Sequence, residues 1–194
     1  MEQLLDWDQS CFIFLNSIGN HHWDPFFLTV TLTTIWFPLF VYFIWLAFDG
    51  YTSKEFYSMI LTTAVMVLLV AAFAALVKYS VARPRPYLIV DLADQIRALK
   101  PISGYSFFSG HAASSFSITT LLWLFFKKQK PWFVYFFFWP ILYSFSRIYI
   151  GVHFPLDSFV GASVGVGAAF LFYRLYIIKI LPMLSASLNK KKLL

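Results

Sequence analysis

Three short stretches of this chain carry residue types that handle phosphate. In SRIYIGVHFPLD, residues 146–157, Arg147 ends one apolar run, His153 lies in a short turn, and Asp157 enters the next run four residues later. Pro155 opens that run without cost, because a first-turn N–H has no helical partner. A carboxylate at this spacing can reach back to one imidazole nitrogen, fix the tautomer and leave the other nitrogen free to attack an electrophile. Histidine, orienting acid and arginine together suggest a nucleophile aimed at a phosphate. The same residues also suit a plain stop and restart between membrane helices, with Arg147 reaching the interface and Asp157 capping.

The other two stretches supply what a nucleophile lacks. KYSVARPRPY carries Lys78 and Arg85 on a proline-stiffened turn, where two cations can clamp phosphate oxygens, arginine through its fork and lysine as a point charge. FFSGHAASS places Ser109, Gly110 and His111 at the start of an apolar run. Glycine there admits a close ligand, and helix-start N–H groups with the serine hydroxyl can point at an anion. A phosphate beside His111 favours its protonated form, ready to give a proton to a leaving group. Taken singly, the first stretch also reads as a positive interface anchor and His111 as an interfacial histidine.

These residues are held by an unusually apolar chain. Of 194 residues, 60% are hydrophobic, 22% aromatic and only 12% charged, with a mean hydropathy of +0.71. That is well beyond the apolar share of a soluble domain, so an all-α, polytopic membrane helix bundle is expected, a single domain over residues 1–194. Crossing the hydrocarbon core takes roughly 20 apolar residues per helix. Five such runs are predicted: from Pro25 to about Phe48, Phe56 to Lys78, Ser106 to Phe126, Trp132 to Tyr149, and Pro155 to about Ile180, with Asp24 a plausible cap for the first. Residues 2–18 place Leu4, Trp7, Cys11, Phe14, Leu15 and Ile18 at helical spacing, which fits an N-terminal amphipathic helix lying in the interface better than a span. Between Tyr79 and Tyr105, the longest polar connection, the pattern Ile89, Leu92, Ala93, Ile96, Leu99 predicts a short surface helix. The acids of MEQLLDWDQS stand where a signal peptide carries basic residues, so no cleaved signal is expected.

The net charge of +6 has no soluble basic domain to carry it, which argues against a nucleic-acid partner and for the lipid bilayer itself. Cys11, alone, excludes an intramolecular disulfide. Lys127, Lys128 and Lys130 lie on one side of the membrane with Arg174, Lys179, Lys190, Lys191 and Lys192; Lys78, Arg83, Arg85, Arg97, Lys100, Arg147 and His153 lie on the other. The second group clusters on the two loops proposed for chemistry. The expected orientation in a cytoplasmic (inner) membrane therefore puts the active face outside and the C-terminus in the cytoplasm.

Taken in order, K-x6-R-P, S-G-H and S-R-x5-H-x3-D resemble the motifs of the type 2 phosphatidic acid phosphatase superfamily, whose membrane members are lipid phosphate phosphatases. The motifs cover about a third of the chain, with the spacing within each kept. The resemblance implies that Lys78, Arg85 and Arg147 bind phosphate, that Ser109 and Gly110 give it hydroxyl and amide contacts, and that His111 is the acid. It further implies that His153 is the nucleophile and Asp157 its partner, with no metal or other cofactor. Phe108 departs from the family, which usually has proline there, a change expected to alter the stiffness of the turn more than the chemistry. Arg83 makes a second Arg-Pro pair at the wrong distance from Lys78. Together with Arg97 and Lys100 it is expected to serve as an auxiliary head-group contact suited to a second phosphate. On that ground the expected membrane lipid substrate is undecaprenyl diphosphate, the alternatives being lipid A, phosphatidylglycerol phosphate and phosphatidate. A transporter or non-catalytic lipid-binding protein is the rival from another class. It would call for charges at mid-membrane depth, whereas the polar residues here gather at one interface.

Overall fold

A computed structural model describes residues 2–184 and is helical, with no strand among them. Lys190, Lys191 and Lys192, which carry part of the orientation argument, lie outside the described residues. Helix α1 spans Glu2–Ser17, α2 Asp24–Val30 and α3 Phe37–Phe48. Helix α4 runs from Ser53 to Val81, α5 is the single turn Val90–Ala93, and α6 spans Gly110–Phe126. A 3-10 segment Pro131–Phe137 leads into α7, Phe138–Tyr149, and α8 spans Pro155–Leu175 before a π turn at Tyr176–Ile180.

Helix α6 is the axis of the bundle. It packs most extensively on α8 and then on α4 and α7. The close α6–α8 contact follows from small residues spaced by four: Gly161, Gly165 and Ala169 of α8 are all buried. A Cβ added at Gly161 would stand 2.5 Å from the Ser109 carbonyl, and one at Gly165 would press on the Ala113 carbonyl. Small residues at this spacing let helix backbones approach closely where lipid gives no hydrophobic drive to associate. Phe43, Leu46, Phe126, Phe133 and Trp139 form an aromatic-rich core that runs from the α3 end toward the cavity. Lys130 Nζ closes the α3 end, reaching the Leu46 carbonyl at 3.2 Å and Asp49 Oδ2 at 3.0 Å.

Helix α4 opens on a full capping box. Thr52 accepts from the Glu55 N–H at 3.4 Å while Glu55 Oε2 accepts from the Thr52 N–H at 2.9 Å, an arrangement that satisfies two orphan donors at once. It ends at Ala82, whose φ of 51° turns the chain into the Arg83–Arg85 segment.

Three expectations are revised. The first span is broken, because α2 and the segment Thr33–Phe48 meet at 70°. Leu32 is extended there, and Trp36 Nε1 donates to the Val30 carbonyl at 2.9 Å, satisfying a helix-end acceptor within the bend. The surface helix between Ile89 and Leu99 shrinks to one turn. The Gln95 N–H still donates to the Leu92 carbonyl, but beyond it the Arg97 N–H goes to Asn16 Oδ1 at 2.7 Å and the Leu99 N–H to the Ile150 carbonyl at 3.1 Å.

Five spans are also more than length and apolarity alone establish. Among the described residues, Ser53–Leu88 and Pro155–Leu184 are each long and apolar enough to cross a membrane, and the bent pair adds a third only if its two helices form one span. Helix α6 has 17 residues, about 26 Å at 1.5 Å per residue, and the segment Pro131–Tyr149 begins as a 3-10 helix.

Helix α1 meets the bundle with an unexpected face. Leu4, Trp7, Phe14 and Ile18 are exposed, while Asp8, Phe12 and Asn16 are buried. Phe12 packs edge-on against Phe154 at 5.2 Å. Asn16 Nδ2 donates to the Arg97 carbonyl at 3.1 Å and the Tyr149 carbonyl at 2.9 Å, closing the end of α7. Most of the apolar face, at Leu4, Trp7, Phe14 and Ile18, therefore points away from the bundle.

Candidate active site

Helix ends converge on a cavity of about 670 Å³ lined by Lys78, Arg85, Gly110, His111, Arg147 and His153. All three motifs, spread over residues 78–157, thus reach one chamber. Its inner wall is apolar, formed by Val67, Ala71 and Ala75 of α4 with Ile118 of α6 and Trp139 of α7. The small side chains of α4 leave a slot beside the cations.

His153 is held by the turn between α7 and α8. The Val152 and His153 N–H groups both donate to the Arg147 carbonyl, at 3.1 and 3.3 Å. Gly151 allows this turn, with φ of 82° and a position where a Cβ would stand 2.6 Å from the Arg97 carbonyl. His153 Nδ1 lies 3.4 Å from Asp157 Oδ2, which also accepts from the Phe154 N–H at 2.9 Å. Asp157 is therefore both cap and orienting acid, so the two readings of its position are compatible. With Nδ1 turned to the carboxylate, Nε2 is the nitrogen left for the cavity. Burial pushes the His153 imidazole down to about 4, so it is neutral, as a nucleophile must be.

The start of α6 is fastened to this dyad. The Ser109 N–H donates to the Asp157 carbonyl at 3.0 Å, and its hydroxyl oxygen caps α6 by accepting from Ala112 N–H at 3.4 Å. Ser109 is fully buried and does not line the cavity, whereas Gly110 and His111 do. His111 lies edge-on to the Tyr143 ring at 5.3 Å. The buried Phe108 packs among Met66, Val70 and Ala74, anchoring the turn where the family's usual proline would only stiffen it.

Two of the cavity's cations, Arg85 and Lys78, are aimed by backbone oxygens, and Arg147 by a hydroxyl. Arg85 donates through Nε to Gly104 at 2.9 Å, Nη1 to Val152 at 2.9 Å and Nη2 to Ser103 at 3.2 Å. These carbonyls take three of the five donors a guanidinium carries. Lys78 Nζ donates to the Tyr105 carbonyl at 2.9 Å. Arg147 Nη1 donates to Thr31 Oγ1 at 2.5 Å, and its buried Nε has no protein partner. Thr31, at the break between α2 and α3, is a residue that sequence reasoning missed.

The three auxiliary cations are not gathered at the cavity. Arg83 bridges two carboxylates, with Nη1 2.8 Å from Asp157 Oδ1 and Nη2 2.7 Å from Asp8 Oδ2. Arg97 pairs with Asp24 at 2.5 Å, which also removes Asp24 from any capping role, since its other oxygen accepts from Tyr149 Oη at 2.9 Å. Lys100 is exposed. Sequence spacing placed these residues on the right loop but could not show that acids from α1 and α2 would engage two of them.

A family model described as the PAP2 superfamily matches residues 56–180, more than half of the chain. The chain belongs to the PAP2 superfamily. It is 30% identical to the lipid A 4'-phosphatase of Bacteroides thetaiotaomicron over 183 residues, 89% of this chain and 78% of that one. It is 35% identical to the undecaprenyl-diphosphatase of Sulfolobus acidocaldarius over 96 residues, 48% of this chain and 44% of that one. The solved transmembrane PAP2 type phosphatidylglycerolphosphate phosphatase of Bacillus subtilis shares its fold, with a TM-score of 0.71 and 20% identity over 92% of this chain and 89% of that one. The matched region contains all three stretches that meet in the cavity. The likeness to a lipid A 4'-phosphatase extends over nearly the whole chain, whereas that to an undecaprenyl-diphosphatase covers under half.

Proposed function

We propose that this protein is a membrane lipid phosphatase that releases phosphate through a phosphohistidine, and that its substrate is a lipid A-type phosphate. His153 Nε2 attacks phosphorus in line while Lys78, Arg85, Arg147 and the N–H groups at the start of α6 hold the equatorial oxygens. The bond from phosphorus to the lipid oxygen breaks, and His111 gives that oxygen its proton. Water then attacks the phosphohistidine, His111 takes up a proton, and inorganic phosphate leaves with Nε2 restored. The observation that carries this reading is the buried His153–Asp157 pair opening on a chamber with three cations and a second histidine.

The expected preference for undecaprenyl diphosphate is withdrawn in favour of its alternative. It rested on a second phosphate site made by Arg83, Arg97 and Lys100, and the first two are paired with carboxylates. The lipid A 4'-phosphatase relative, matched over most of both chains, supports the alternative. We place the active face on the outer side of a cytoplasmic (inner) membrane. Helix α1 lies on that face, and five crossings, counting α6 and Pro131–Tyr149, bring the C-terminus to the cytoplasmic side.

The test is phosphate release by purified protein from lipid A, undecaprenyl diphosphate, phosphatidylglycerol phosphate and phosphatidate, with His153→Ala as control. Lipid A should be the fastest, and the variant inactive on all four. Faster release from undecaprenyl diphosphate would overturn the substrate, and release undiminished in the variant would overturn the nucleophile. No step is routed through a metal, so a chelator should leave the rate unchanged and vanadate should inhibit. Loss in chelator restored by magnesium would contradict that.

A further inference from the structure

Among the described residues, the mechanism leaves one buried acid unused. Asp8 of α1 is fully buried, outside the region matched by the family model, and both of its oxygens face the dyad's surroundings. Oδ1 accepts from the Leu156 N–H at 2.8 Å, in the first turn of α8, and Oδ2 meets Arg83 Nη2 at 2.7 Å. Arg83 in turn reaches Asp157 Oδ1 at 2.8 Å and lies over the Phe154 ring at 3.9 Å. A chain of alternating charge therefore runs from Asp8 through Arg83 to Asp157, which holds the neutral His153.

The distances within this chain say what Asp8 does. Asp157 is bound more closely to Arg83, at 2.8 Å, than to His153 Nδ1, at 3.4 Å. An arginine with Asp157 as its only acid would draw that carboxylate toward itself and offset the negative charge that orients the imidazole. Asp8 shares the guanidinium fork and balances its charge, while its other oxygen fixes the helix turn that carries Asp157. We infer that Asp8 is a positioning residue for His153, acting through Arg83 and Asp157. This rests on the reading of His153 as the nucleophile.

Asp8→Asn is the informative change. It keeps an oxygen for the Leu156 N–H but removes the charge facing Arg83. With the best substrate of the four lipids, kcat should fall about 10- to 100-fold, the usual cost of losing a group that orients a functional one from behind, with KM within about twofold. In an Arg83→Gln background the same change should cost less than about twofold more, because both act along one chain. An Asp8→Asn kcat within about twofold of wild type, or losses that multiply with those of Arg83→Gln, would overturn the inference. If Asp8→Asn does not fold, Asp8→Glu, which keeps the charge on a longer arm, must show the kcat loss. Failure of both to fold, with His153→Ala folding normally, would assign Asp8 to helix docking alone and overturn it too. An active His153→Ala would instead defeat the underlying phosphatase mechanism.

Discussion

Gly161→Ala should uncouple the two histidines. Glycine at 161 faces the start of α6, where a Cβ would stand 2.5 Å from the Ser109 carbonyl and 3.3 Å from Ala112 Cβ. Ordinary carbon–oxygen contact is about 3.3–3.6 Å, so the helices must part locally by roughly 1 Å. Alanine gains about 1 kcal/mol of helix propensity over glycine, but overpacking costs about 1–3 kcal/mol, and the net change is a small destabilisation. Activity should suffer more than stability. Gly161 lies one turn beyond Asp157, and Ser109, whose carbonyl it meets, is tied by its N–H to the Asp157 carbonyl at 3.0 Å. A displacement there moves His111 against His153, and about 1 Å of misplacement can cost on the order of 100-fold in rate. Gly167→Ala, on the same helix with nothing within 4 Å of its Cβ, is the control. Melting temperature and kcat in detergent would be compared for both. A Gly161→Ala protein as active as Gly167→Ala would refute the claim that this contact sets the site's geometry.

Two further outcomes follow from single contacts. Thr31→Val removes the acceptor of Arg147 Nη1. A hydrogen bond to a charged group is worth about 1.5–3 kcal/mol, so kcat/KM should drop at least about tenfold, and a change under twofold would show that Thr31 does not aim the arginine. His153 is held near 4 by burial, below the usual histidine value of about 6.5. The unfolded chain therefore binds more protons between those values, and stability is fully present above about pH 6.5 and lost as pH falls toward 4, by on the order of 3 kcal/mol. His153→Asn has no proton to gain, so its melting temperature should fall less than that of wild type between pH 7 and 4.5. Parallel losses would contradict a buried neutral imidazole.

The parts of the site legible in the sequence are those whose partners lie close in the chain. His153 and Asp157 are four residues apart, and a helix start fixes their relation; Ser109, Gly110 and His111 are consecutive. Lys78 and Arg85 were legible because a proline turn keeps both at one helix end. What escaped depends on partners far along the chain. Arg83 sits among the motif cations, and nothing near it reveals that Asp8, 75 residues away, divides its charge with Asp157. The helix over Ile89–Leu99 was mispredicted because Asn16, 81 residues from Arg97, takes the donor that the helix would need. Two signals were nonetheless present. Asp8, Phe12 and Asn16 repeat at four along one side of α1, and Gly161, Gly165 and Ala169 repeat at four along α8.

The phosphoenzyme tests the central claim most directly. Lipid A carrying labelled phosphate would be mixed with the protein, quenched in alkali within one turnover, and the protein digested. Label should appear on the peptide containing His153, stable to alkali and lost in acid, and be absent from His153→Ala. No labelled protein during active turnover, or label that persists in His153→Ala, would contradict a phosphohistidine at this position.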